Sequence, residues 1–193
     1  MDSLDKAAQL IRKKYPDVKD IILFGSAARG KDKPKDVDVL LLFHTSVDKK
    51  VEQEFRRTAK TDNLDVVSIT QEEFEGEGFI AKEGMLLEGI SLPDKNLVAK
   101  RFGFFSCMMF SYDLKKITGS KRTRFYYALQ GRAEQEGLLS RTGAIKYAEN
   151  NILCKYDDSE QVKTFLSLWD VPFVMTPMLI PSRLEHILFN SST

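Results

Sequence analysis

The chain has 193 residues, 42% of them hydrophobic and 30% charged, and a net charge of +1. That balance suits one compact unit or two small domains and argues against a disordered or strongly polyionic chain. No apolar run approaches the length of a membrane span, the charged N-terminus lacks a signal-peptide pattern, and Cys107 and Cys154 lie inside apolar runs, so a reduced cytoplasmic protein with buried thiols is expected.

Taken in order, Leu4, Ala7, Ala8, Ile11 and Tyr15 repeat at helical spacing, with Ser3 able to cap the start and Pro16 to end the run. Ile21-Ile22-Leu23-Phe24 then reads as a strand running into a Gly25-Ser26 turn that opens a short helix. A lysine-rich link through Lys31, Lys33 and Lys35 leads to a second strand, Val37 to Phe43, with Asp36 and Asp38 at its entry. Val51, Phe55 and Ala59 give the buried stripe of a helix over 48–60, long enough to cross to a further strand begun by Leu64-Asp65-Val66-Val67. Thr70 and Glu73 form a capping-box pattern. Two apolar runs around Glu88-Gly89 read as a hairpin or bent strand, and Leu92-Pro93-Asp94-Lys95-Asn96 is turn chemistry that places a domain boundary near residue 95.

Gly25 lets the backbone approach a ligand, and Ser26 adds a hydroxyl beside the free N–H groups of a helix start, which together suit an anion. Residues two apart on a strand share a face and lie about 6.6 Å apart, so Asp36 and Asp38 look the same way. Like charges that close call for a cation. Two metal ions about 3.5–4 Å apart serve in-line displacement at phosphorus and need a further oxygen donor, for which Asp65 is the candidate.

A Gly-Ser turn, a spaced Asp-aliphatic-Asp strand and a later aliphatic-Asp-aliphatic strand resemble the signature of the DNA polymerase β superfamily of nucleotidyltransferases. The string Gly25-Ser26-Ala27-Ala28-Arg29-Gly30 is similar to its minimal nucleotidyltransferase branch, as is the stretch from Ile80-Ala81-Lys82-Glu83 through Gly84-Met85-Leu86-Leu87. The resemblance covers roughly the first half of the chain. It implies a metal- and NTP-dependent transferase with ATP among the substrates: Asp36 and Asp38 would hold two Mg²⁺ ions, with Mn²⁺ as a substitute, and Asp65 would complete the set and help deprotonate the acceptor. Gly25 and Ser26 would hold the β- and γ-phosphates. Arg29 would contact the triphosphate or brace the turn. The alternative reading is a non-catalytic nucleotide or nucleic-acid binding module that keeps the fold.

Beyond residue 95 the pattern predicts a strand over 102–112, a helix over 121–132 facing inward with Phe125, Ala128 and Leu129, and a hairpin over 144–148 and 152–156. A helix with Val162, Phe165, Leu166 and Trp169 and a strand over 173–180 follow. The order strand, helix, strand, strand, helix, strand is the ferredoxin-like plan. The expected fold is therefore α+β: a polymerase-β-like nucleotidyltransferase domain with a mixed sheet over 1–95, then a ferredoxin-like βαββαβ domain over 96–193, with a short terminal helix fraying at Asn190.

Lys115, Lys116, Lys121, Arg122, Arg124, Arg132, Arg141 and Lys146 are offset by only Glu134 and Glu136 in between, and Lys121, Arg122 and Arg124 fall in the first turn of a predicted helix. The 102–112 strand is apolar on both faces, so the side not packed on helices is either covered or used, for instance to stack bases. The basic segment suits RNA ends as an acceptor, the resemblance to the minimal branch implies a protein hydroxyl as another, and a small molecule such as an aminoglycoside is the third. No membrane partner is expected.

Overall fold

The computed structural model describes residues 2–28, 34–79 and 81–189. Arg29, the Gly30 to Lys33 link, Ile80 and the terminal residues from Asn190 lie outside them. The chain forms two compact units, Met1–Phe102 and Gly103–Thr193.

In the first unit α1 (Asp2–Lys14) leads into β1 (Val18–Phe24), α2 (Gly25–Ala28), β2 (Val37–Phe43), α3 (Lys49–Ala59) and β3 (Leu64–Thr70). Then come α4 (Gln71–Glu75), α5 (Lys82–Glu88), β4 (Ile90–Ser91), β5 (Asn96–Leu97) and a 3-10 turn over Val98–Phe102. The five strands form one mixed sheet in the order β3-β2-β1-β4-β5. Only β2 and β3 are parallel, joined by the crossover helix α3.

Strand parity divides the core into two layers. Ile21, Leu23, Val39, Leu41, Phe43 and Val66 face α1 and α3, meeting Leu4, Ala7, Ala8, Ile11, Val51, Phe55 and Ala59. Ile22, Leu40 and Leu42 face the other way, under Phe74 of α4, Met85 of α5 and Val98. The caps agree with the local sequence. The Asp48 side chain accepts from the Lys50 N–H at 2.8 Å, Lys60 ends α3 in the left-handed region, and Thr70 with Glu73 completes a capping box. Ser3, however, lies inside α1, which begins one residue earlier.

Two expectations are corrected here. The apolar run around Glu88-Gly89 is not a hairpin: Lys82–Glu88 is helical and only Ile90–Ser91 is strand. A run this short satisfies either period, and a single buried stripe through Met85 against the sheet decides it. The hairpin forms instead between β4 and β5. The first unit also continues past residue 95, because Val98 packs beneath the sheet and Arg101 pairs with Asp20 of β1.

The second unit holds β6 (Phe104–Tyr112), α6 (Gly119–Gln130), β7 (Gly131–Arg132), β8 (Gln135–Glu136), α7 (Leu138–Thr142) and β9 (Ile145–Ala148). It continues with β10 (Asn151–Lys155), α8 (Ser159–Leu168), β11 (Phe173–Pro181) and α9 (Glu185–Phe189). Its main sheet is antiparallel in the order β11-β6-β10-β9, and β7 with β8 makes a separate small hairpin. Met108, Phe110 and Tyr112 pack under Phe125 and Leu129 of α6 and Val162, Phe165 and Leu166 of α8.

The opposite face of β6 is covered from within the unit. Phe105, Cys107 and Met109 meet Leu184, Leu188 and Phe189, so the short terminal helix closes the face that the sequence left open for stacked bases. Gly103, at φ 74°, turns the chain into β6, and Phe102 therefore belongs to the preceding 3-10 turn rather than to the strand. The β7–β8 hairpin and α7 carry too few apolar residues to announce themselves in the sequence.

Candidate active site

The turn after β1 and the entries of β2 and β3 meet at one end of the first sheet. In the ladder Phe24 is opposite Asp38, and Asp38 is opposite Asp65 in the parallel β2–β3 register. Residues paired in register project to the same face, so the two carboxylates stand side by side on the strand face shared with Leu40 and Leu42. Gly25 follows Phe24 directly. Its φ of +70° is left-handed, and a Cβ built on it would fall closer than 3.0 Å to Asp38 Oδ2. The Asp38 carboxylate thus occupies the space that any larger residue at the turn would need.

Asp36 is placed differently from the expectation. β2 begins at Val37, so Asp36 sits in the bend before the ladder, and the strand pleat does not set its direction. It is held instead by Asn63. The Asn63 side-chain amide donates to the Lys35 carbonyl at 3.1 Å, and the Val37 N–H donates to the Asn63 carbonyl at 3.0 Å. Asn63, left-handed at φ 52°, thereby ties down the residues on both sides of Asp36.

Asp65 has a clamp of its own. β3 is the edge of the sheet, and Arg56 of α3 lies along that edge, donating from Nη1 to the Leu64 carbonyl at 2.8 Å and from Nη2 to the Val66 carbonyl at 3.0 Å. Glu52, one turn earlier, accepts from Arg56 Nη2 at 3.3 Å and from Ser68 Oγ at 2.8 Å. Burial would push the Glu52 carboxyl up, but hydrogen bonds from Lys49, Ser68 and Arg56 outweigh it and hold the group below its ordinary range. Sequence reading passed over Arg56 and Asn63. Their signals were weak: an arginine four residues after a glutamate on a crossover helix, and an asparagine, tolerant of the left-handed region, just before the strand.

Asp36 and Asp65 are exposed and Asp38 is half-buried. Among the described residues no three His, Cys, Asp or Glu side chains converge as a closed metal cage. The donor set nevertheless fits magnesium, which binds through one or two carboxylates with water and substrate phosphates rather than in an all-protein shell. Ser26 lies in α2 beside Gly25, and Arg29 lies outside the described residues.

A family model described as a nucleotidyltransferase domain matches residues 4–86, the stretch that holds every element of the site. No curated protein matches the chain. Among solved structures, a toxin–antitoxin crystallised with AMP-PNP is 18% identical, covering 46% of this chain and 71% of its own, with a TM-score of 0.35. A candidate nucleotidyltransferase from Sulfolobus solfataricus is 16% identical over 47% of this chain and 78% of its own, with a TM-score of 0.31. Among the described residues no helix is long and apolar enough to cross a membrane.

If the edge clamp holds Asp65 in place for chemistry, Arg56→Ala is expected to lower turnover about tenfold or more, in line with what loss of a supporting contact costs. NTP affinity should stay nearly constant. Steady-state kinetics separate the two, and a change confined to KM would assign Arg56 to substrate binding instead.

Proposed function

We propose that the first unit transfers a nucleoside monophosphate from an NTP to an acceptor hydroxyl, releasing pyrophosphate. The observation that carries this reading is the in-register pair Asp38 and Asp65 beside a left-handed Gly25 whose missing side chain leaves room for the Asp38 carboxylate. In this proposal Asp36 and Asp38 hold two Mg²⁺ ions, or Mn²⁺ in their place, with Asp65 completing the set. The ions would supply charge neutralisation at the phosphate oxygens.

The chain's own residues do the rest. Backbone N–H groups of Gly25 and Ser26 bind the β- and γ-phosphates and orient the triphosphate. Asp65 takes the proton of the acceptor hydroxyl as that oxygen bonds to the α-phosphorus. The bond from the α-phosphorus to the bridging β-phosphate oxygen breaks, and pyrophosphate leaves with the electron pair. Catalysis of this kind is positioning and electrostatics, and both depend on the carboxylates' placement.

The second unit we read as ferredoxin-like. Supporting this are the strand order β11-β6-β10-β9, wholly antiparallel, and the position of α6 and α8 in its two crossovers. A reduced cytoplasmic setting is in keeping with two free, buried thiols, both pushed up to about 12 by burial.

Label transfer from each α-labelled NTP into acceptor fractions, with and without Mg²⁺, tests the proposal. Asp38→Asn is expected to lower transfer by about 100-fold or more with an unchanged melting temperature. Label that persists undiminished in Asp38→Asn would overturn the site. NTP binding with no transfer from any NTP would leave the binding-module reading.

A further inference from the structure

The second unit gathers cations and aromatic rings that the proposed transfer does not use. Tyr126 and Tyr127 are adjacent on α6. Lys146 of β9 lies over the Tyr126 ring, with Nζ 5.5 Å from its centroid, and Arg132 of β7 lies over the Tyr127 ring, with Cζ at 4.7 Å. One turn earlier, Arg122 stands four residues before Tyr126 and Arg124 three before Tyr127, spacings that make them neighbours on the helix surface. α6 thus carries two such cation–ring pairs, one with β9 through Tyr126 and one with the β7–β8 hairpin through Tyr127.

Arg122, Arg124, Arg132 and Lys146 are all exposed, and Tyr127 is 42% exposed. Among the described residues none of these four cations takes part in an ion pair, whereas Lys115, Lys155 and Lys163 of the same unit do. The acids nearest in sequence are Glu134 and Glu136 on the hairpin and Glu149 after β9. α6 also begins without a side-chain cap from Thr118 and with no acid in its first turn, where Lys121 and Arg122 oppose the helix dipole; Arg124 falls beyond that turn, because the helix starts at Gly119.

We propose that this face binds single-stranded nucleic acid. Unneutralised cations contact the phosphates, and the Tyr127 ring with the Arg132 guanidinium stacked on it offers a flat platform for an unpaired base. An acidic peptide would use the charges and leave the rings idle. An anionic membrane would favour projecting Leu, Phe or Trp side chains, and the rings here are tyrosines that each have a cation over them. The inference concerns binding alone and stands whether or not the first unit catalyses transfer.

The test is fluorescence anisotropy of the full chain with a labelled single-stranded RNA of about 20 nucleotides, a length that spans a typical site. Binding is expected to weaken steeply between about 50 and 200 mM salt. The double variant Arg122→Glu, Arg124→Glu and the single variant Tyr127→Ala should each lose about tenfold or more in affinity. Lys6→Glu, an exposed charge reversal on α1, should bind like the intact protein. Melting temperatures confirm that each variant folds. Equal losses in Lys6→Glu, or displacement of the RNA as readily by polyglutamate or by duplex RNA of equal length, would overturn the proposal.

Discussion

Replacing Gly25 with alanine is expected to abolish nucleotidyl transfer in a protein that still folds. The added Cβ would lie closer than 3.0 Å to Asp38 Oδ2, and the left-handed φ of +70° prevents the turn from relaxing toward an ordinary alanine conformation. Either the carboxylate moves or the turn does, and both belong to the proposed site. A displacement on the order of 1 Å in a reacting constellation costs about 100-fold in rate. The backbone penalty itself is about 1–2 kcal/mol, a shift of melting temperature rather than a loss of the fold. Gly84 provides the control, since a Cβ there meets nothing within 4 Å and its φ is not left-handed. Gly84→Ala should therefore leave both activity and stability close to those of the intact protein. Full transfer activity in Gly25→Ala, measured beside NTP binding and thermal unfolding, would remove the Asp38 carboxylate from the reaction.

The second large effect concerns stability. Asp20 is wholly buried in β1, where its Oδ1 accepts from Ser91 Oγ and from the Ile21 N–H, both at 2.8 Å, and its Oδ2 lies 2.7 Å from Arg101 Nη1. Burial pushes the Asp20 carboxyl up, against the opposing pull of the Ser91 hydrogen bond and the Arg101 charge. The same guanidinium also pairs with Asp94, which in turn pairs with Arg12 of α1. Arg101→Met keeps most of the side-chain bulk and removes the cation, stranding a buried carboxylate at a cost of about 3–5 kcal/mol in denaturant unfolding.

The pH dependence has a definite sign. A carboxyl whose folded-state pKa is raised binds more protons folded than unfolded between its two pKa values, so its burden on stability grows as pH rises from the unfolded value to the folded one, is full above that, and disappears below the unfolded value. The deficit of Arg101→Met should accordingly shrink toward acid. Asp20→Asn in the Arg101→Met background should recover part of the loss, and strict additivity of the two single variants would show that the pair is not coupled.

Local chemistry was legible in the sequence wherever a residue and its neighbours decide the outcome. The stripe Leu4, Ala7, Ala8, Ile11 lies buried in α1, Thr70 and Glu73 cap α4, and Asp38 shares a strand parity with Leu40 and Leu42. The order of the longer elements followed as well, because strands and helices of that length carry their period in the side chains. The short apolar run before Gly89 did not yield, since three or four residues fit a helix and a strand equally well.

What the sequence by itself determined was which residues carry charge, which face of each long element is apolar, and where the backbone needs glycine, because all of these are set by covalent structure and near-neighbour sterics. Only the tertiary structure decided which of them meet. It put Asp65 in register with Asp38, laid Arg56 along the β3 edge, held Asp36 from both sides through Asn63, brought Arg101 to Asp20, and closed the β6 face with α9. Such pairings depend on the path of the whole chain and on the loss of water from the groups that come together. Neither quantity is written in any one stretch of residues.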